Sequence, residues 1–196
     1  MKLKSKLPDV GLTIFSVMSK LANEHGAINL SQGFPEFDAN PNLISLVEKY
    51  LRSSCNQYAP TQGVLELRQQ IAIKTMELYQ AKVNPDTEIT VTSGATEALY
   101  AVITATVNRG DEVILFEPAY DSYMPAIVLS GGIPVYLPLK FPDYSIDWNQ
   151  VKETITDKTR LIILNFPHNP SGAILSQQDI FALKEIVAEH NVFILS

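Results

Sequence analysis

Cysteine is almost absent from this chain of 196 residues, where Cys55 stands alone. Neither an internal disulfide nor a cysteine-based metal site is available, and such usage fits a reducing compartment. On its own, Cys55 reads as a small buried apolar residue. Histidine is scarce too, at three residues. His168 has no second histidine or carboxylate at ligand spacing, so it reads as a loop residue rather than a metal ligand or general base, and no metal is expected. No apolar run approaches membrane-spanning length. The basic start Met1-Lys2-Leu3-Lys4-Ser5-Lys6-Leu7-Pro8 lacks the apolar centre of a signal peptide. Positive charge is in deficit, with a net −6, which argues against nucleic acid or an anionic membrane as partner. Charge runs and low-complexity tracts are missing as well. A soluble, cytoplasmic protein is the simplest expectation.

What the chain does have is apolar content, 46% of residues, enough for one sizeable α/β domain with room for a small second unit. Ile14, Val17, Met18 and Leu21 recur at helical spacing over 13–25 before Gly26 ends the pattern. A short extended piece then runs into the turn Gly33-Phe34-Pro35. Gly33 lets a backbone approach a ligand closely, although a glycine there also serves a plain turn. A second helix is predicted over 43–51. The stretch Asn56-Gln57-Tyr58-Ala59-Pro60-Thr61-Gln62-Gly63 is polar and turn-rich. Its Tyr58 reads as a half-buried packing residue, the functional alternative being a phenol that donates to a phosphate or substrate. In the third helix Val64, Leu67, Ile71 and Leu78 share a face.

After Asn84-Pro85-Asp86 the rhythm changes, which divides the chain into 1–86 and 87–196. Strand and helix signals now alternate: strand 88–92, helix 95–107, strand 112–116, helix 120–129, strand 133–137, a helix from Asp147, strand 160–165, helix 176–190 and strand 192–195. Such alternation specifies helices packed on a largely parallel sheet. Asp147 with Gln150, and Ser176 with Asp179, have capping-box spacing.

In an open sheet of this kind ligands sit beyond the carboxyl ends of the strands, so the loops that follow each strand belong together. Ser93-Gly94-Ala95-Thr96 opens a helix, and a helix N-terminus attracts anions because its dipole and its first N–H groups act in concert. The same turn is also ordinary strand-to-helix chemistry. Glu117-Pro118-Ala119-Tyr120-Asp121 offers an aromatic face. Asn165-Phe166-Pro167-His168-Asn169-Pro170-Ser171-Gly172 holds two carboxamides in a proline-stiffened turn, which suits either a fixed donor or a rigid connector.

These loops, in this order, resemble the class I aminotransferases that use pyridoxal 5′-phosphate (PLP). Gln32-Gly33-Phe34-Pro35 and Asn56-Gln57-Tyr58 sharpen the resemblance to the methionine and kynurenine aminotransferase subgroup. It runs from about Leu7 to Ser196. The resemblance implies an α/β chain with the type I PLP-dependent transferase fold, three αβα layers around a mostly parallel sheet, here truncated. Residues 1–86 would then carry the substrate- and dimer-contact loops, and 87–196 the first part of the large PLP-binding domain. It further implies that Gly94, Ala95 and Thr96 cup the cofactor phosphate and Tyr120 stacks on the pyridine ring. Asn169 would hydrogen-bond the ring oxygen and help hold the substrate carboxylate, with Asn165 beside it. Tyr58 would reach the phosphate of a neighbouring subunit in a homodimer with shared active sites. Gly33 would lie against the bound amino acid, and Phe15 would contribute to its side-chain pocket.

The expected reaction moves an amino group between an amino acid, whether methionine, aromatic or kynurenine-like, and a 2-oxo acid through a PLP imine. PLP is an electron sink, to which the protein adds orientation and electrostatics. The family's catalytic lysine, with an aspartate and an arginine, lies beyond Phe193-Ile194-Leu195-Ser196. No lysine present matches, so the chain resembles roughly the N-terminal half and is expected to be inactive alone. Alternatives are a PLP-dependent cysteine-conjugate β-lyase, or a non-catalytic truncated remnant.

Overall fold

The computed structural model describes residues 4–33, 35 and 37–196. The chain divides into two compact units, Leu12–Ser93 and a second made of Met1–Gly11 with Gly94–Ser196.

In Leu12–Ser93 the elements are helices α1 (Ile14–His25), α2 (Pro41–Arg52) and α3 (Leu65–Tyr79). Thr13 Oγ1 caps α1 by accepting the Ser16 N–H at 3.2 Å. Asn40 caps α2 through the Asn42 N–H at 2.9 Å. Pro41 follows at the position where a helix needs no N–H. Of these three helices only α3 has a buried residue, Arg68. Its Nε donates to the Gly63 carbonyl at 3.1 Å and its Nη1 to the Pro85 carbonyl, so one guanidinium ties two turns to the helix. Asp86 faces it at 3.7 Å.

Residues 88–92 do not form the expected strand. The Val91 N–H reaches the Gln62 carbonyl at 2.9 Å, but a strand needs a ladder, and among the described residues no neighbour supplies one. Cys55 is exposed, not buried: it sits past the end of α2 in a turn that brings no apolar wall against it. Of the shared face of α3, Val64, Leu67 and Leu78 are exposed and Ile71 is half-buried.

The second unit contains α4 (Gly94–Thr106), β1 (Glu112–Glu117), α5 (Tyr123–Leu129), β2 (Ile133–Pro138), α6 (Trp148–Thr154), β3 (Thr159–Ile163), α7 (Gln177–Glu189) and β4 (Phe193–Leu195). All pairings are parallel, in the order β2-β1-β3-β4. Ile114 lies opposite Val135 on one side and Ile162 on the other. This is the alternating α/β pattern expected from the sequence.

The strand period of two sorts side chains onto two faces. Val113 and Leu115 pack with Ile103 of α4, Val107 just past its end, and Ala126 and Ile127 of α5. Ile114 and Phe116 pack on the opposite face with Leu137, Val151 of α6 and Ile186 of α7. Three layers result, and β1, buried on both faces, reads as a continuous apolar run. Each such side chain contributes about 1.5–3 kcal/mol by leaving water. Two helix starts obey the sequence closely. Asp147 accepts the Asn149 and Gln150 N–H groups, and Ser176 with Asp179 forms a complete capping box.

Candidate functional site

The carboxyl edge of the sheet gathers the loops. Thirteen residues of α4 and six of β1 each span about 20 Å. The short connection between them returns the chain, so the start of α4 lies level with the end of β1. Leu99, one turn into α4, accordingly packs on the same cluster as Ala119 and Tyr120. Gly94 takes φ +82°, a conformation that L side chains rarely adopt, and a Cβ built on it meets nothing within 4 Å. Ala95 and Thr96 are exposed in the first turn of the helix.

Tyr120 does not begin a helix as expected. The Tyr123 N–H closes a turn onto the Tyr120 carbonyl at 3.2 Å, and α5 starts at Tyr123. Tyr120 therefore stays in the loop after β1, half-buried. Its ring stands at 74° to that of Tyr123, with centroids 5.7 Å apart, an edge-to-face contact that fixes its plane. Burial, and secondarily the neighbouring Tyr120, pushes the Tyr123 phenol above its ordinary value. Tyr123 is buried in the core cluster, and Tyr120 packs half-buried against it.

β3 ends at Ile163, so Asn165 and Asn169 lie in the loop beyond it. Asn165 Nδ2 donates to the Asn169 carbonyl at 3.5 Å. The Asn169 side chain is exposed and, among the described residues, makes no hydrogen bond to protein. His168, expected to be a mere loop residue, is 4% exposed. Nδ1 lies 2.7 Å from Ser171 Oγ, and Nε2 lies 3.0 Å from the Pro118 carbonyl. Its spacing to Ser171 was the one local hint of this; Pro118 is fifty positions away.

Gly94, Ala95, Thr96, Tyr120, Asn165 and Asn169 thus share one end of one sheet. Gly33, Phe15 and Tyr58 belong to the other unit. Gly33 is exposed; Phe34 beside it lies outside the described residues. The stretch before Gly33 is pinned to α1, because Ser19 Oγ donates to Gln32 Oε1 at 3.2 Å and accepts from Asn29 Nδ2 at 3.1 Å. Phe15 is half-buried on α1. Tyr58 is 103% exposed, which overturns its reading as a packing residue: Arg68 holds the end of its turn at Gly63, and among the described residues nothing covers the ring.

A polar cavity of about 350 Å³ lies at the opposite, amino edge of the sheet, lined by Asp111, Lys158, Arg160 and His190 among others. Its centre is structural. Asn108 donates its N–H and its side chain to Asp111, and with Arg160 these hold the carboxyl below its ordinary value against the opposing effect of burial. Among the described residues no group of three or more His, Cys, Asp or Glu could hold a metal ion, and no helix is long and apolar enough to cross a membrane.

Parallel strands flanked by helices, with a helix start, an aromatic side chain and two carboxamides at the carboxyl edge, define an α/β protein. Residues 25–196 match the family described as aminotransferase class I and II, and the chain belongs to that family. It is 51% identical over 193 residues to a methionine aminotransferase of Escherichia coli (strain K12), covering 98% of this chain and 50% of that protein. A kynurenine–oxoglutarate transaminase of Dictyostelium discoideum is 34% identical, with 92% and 45% covered. The crystal structure of an Escherichia coli protein identified as having methionine aminotransferase function superposes with a TM-score of 0.95 at 50% identity, covering 99% of this chain and 51% of that one. The chain spans about half the length of the curated relatives it matches.

Proposed function

We propose that the protein binds PLP at the carboxyl edge of its sheet. In the whole enzyme it would move an amino group between an amino acid and a 2-oxo acid. One observation carries the reading: the start of α4, Tyr120 and Asn169 converge on one end of one sheet. The open, left-handed entry at Gly94 leaves room for a phosphate, and the donors suit it. Backbone N–H groups of Ala95 and Thr96, with the Thr96 hydroxyl, would bind the phosphate at the positive end of the helix dipole. Tyr120 would offer its ring face to the pyridine. Asn169 would donate its amide to the ring oxygen, with Asn165 steadying the loop from within. When bound, PLP supplies an electron sink for the charge left when a proton leaves the substrate Cα. The part of this chain is orientation: a cofactor held at phosphate, ring face and ring oxygen has its plane fixed, and so does the bond to be broken.

Methionine is the first donor to try, on the strength of the 51% identity, with aromatic and kynurenine-like amino acids next. Gly33 would lie along the bound amino acid and Phe15 in its side-chain pocket. The full exposure of Tyr58 supports its reaching the phosphate of a second subunit in a homodimer. Titrating the intact protein with PLP, then supplying methionine and a 2-oxo acid, tests the reading. Saturable uptake and formation of the oxo acid of methionine are expected. An intact protein that takes up no PLP, or releases ammonia without needing an acceptor, sinks it.

A further inference from the structure

His168 has no part in the contacts assigned above, yet it is the most completely buried polar side chain in the Gly94–Ser196 unit, at 4% exposure. Its ring reaches across two loops. A carbonyl oxygen only accepts, so the 3.0 Å contact with the Pro118 carbonyl requires Nε2 to carry the hydrogen and donate it. Nδ1 can then accept the Ser171 hydroxyl at 2.7 Å. Ser171 Oγ in turn accepts the Ala173 N–H at 3.3 Å, so every polar atom in the chain of contacts has a partner. The His168 backbone closes its own turn, N–H to the Ala173 carbonyl and carbonyl to the Gly172 N–H. Phe166 packs on the ring, with centroids 5.4 Å apart.

Position gives these bonds their meaning. Pro118 stands two residues before Tyr120, and His168 stands immediately before Asn169. Among the described residues, the Nε2–Pro118 bond is the one hydrogen bond that joins the loop after β1 to the loop after β3. We propose that His168 is a positioning residue: a strut from the Pro118 carbonyl to the Ser171 hydroxyl that fixes the distance between Tyr120 and Asn169. Its bearing on the cofactor rests on the PLP reading above; its role as a strut does not.

Two substitutions divide the strut. A glutamine at 168 reaches about as far as Nε2 and keeps a donor for the Pro118 carbonyl, whereas an asparagine stops near the Nδ1 position and keeps only the Ser171 partner. In the intact protein without PLP, hydrogen exchange over residues 119–123 is expected to quicken about tenfold in H168N and little in H168Q, the scale of one lost hydrogen bond. With PLP, the apparent dissociation constant should rise about tenfold in H168N, with loss of the visible circular dichroism of the bound ring, and both should recover in H168Q. Faster exchange confined to residues 168–173, or equal effects of the two variants, overturns the strut. If the unaltered protein takes up no PLP, the PLP reading fails, and the exchange measurement alone then upholds or overturns the strut.

Discussion

Asp179 shows how a single carboxylate can serve two elements. Burial pulls its pKa upward, but hydrogen bonds from the Ser176 hydroxyl and N–H and from Trp148 Nε1 outweigh that and hold it below the ordinary 3.8. A group with a depressed folded pKa contributes stability above its unfolded value, and that stability is lost as pH falls through the folded value. Asp179→Ala should cost about 1–2 kcal/mol in urea unfolding near neutrality, the usual scale for a broken cap. Its stability curve should also be flatter than the parent's below pH 3.8. An unchanged acid limb would show that the carboxylate is not linked to folding. Thr96→Asp separates stability from binding at the opposite end of the argument. A carboxylate in the first turn of α4 suits the helix dipole, so melting should hold or rise slightly, while PLP affinity should fall about a hundredfold through repulsion of the phosphate. Equal PLP binding would move the phosphate seat elsewhere. The placing of Thr96, Tyr120 and Asn169 at one end of the sheet was legible because each follows from local strand and helix signals. The burial of His168 and the exposure of Cys55 were not, since both depend on what lies across from them in space.

Among the elements, the best-read features were helix starts. Asp147 and Ser176 cap as the sequence indicates because a cap involves residues only two or three apart. The strand expected at 88–92 failed for the converse reason: alternation and β-branching mark a willing strand, but the ladder must come from elsewhere in the chain. The start of α5 slipped from Tyr120 to Tyr123 because the turn after Pro118 takes up the intervening residues. That slip leaves Tyr120 in the loop. At the entrance to β2, a Cβ on Gly132 would stand 2.6 Å from Val107 Cγ1 and 3.0 Å from Ile127 Cγ2. Gly132→Ala should therefore push α5 and Val107, just past the end of α4, off the sheet by a few tenths of an ångström at a cost of about 1–3 kcal/mol. Chemical denaturation checks this, and an alanine variant as stable as the parent would mean that the helices give way freely.

For the molecule as a whole, the uncovered apolar surface of Leu12–Ser93 is the main fact. Ile28, Leu30, Phe37 and Tyr58 are each more than 80% exposed, far beyond the scattered apolar residues of an ordinary monomer surface. If Tyr58 serves a neighbour's phosphate, two defective chains should repair each other. A Tyr58→Ala chain mixed with an Asn169→Ala chain should form hybrids with one intact site each. At random assortment about a quarter of wild-type activity should return. Activity no greater than the mean of the two parents would remove Tyr58 from its partner's site.

The scarcity noted at the outset has a last use. Trp148, the sole tryptophan of the chain, is held by its bond to Asp179 in the sheet-bearing unit. Cys55, the sole thiol, is exposed in the other. The sequence thus carries a fluorescent donor and one attachment point for an acceptor dye, one in each unit, without a single substitution. Energy transfer between them makes the chain its own ruler for the distance from Trp148 to Cys55 as cofactor and amino acid are added.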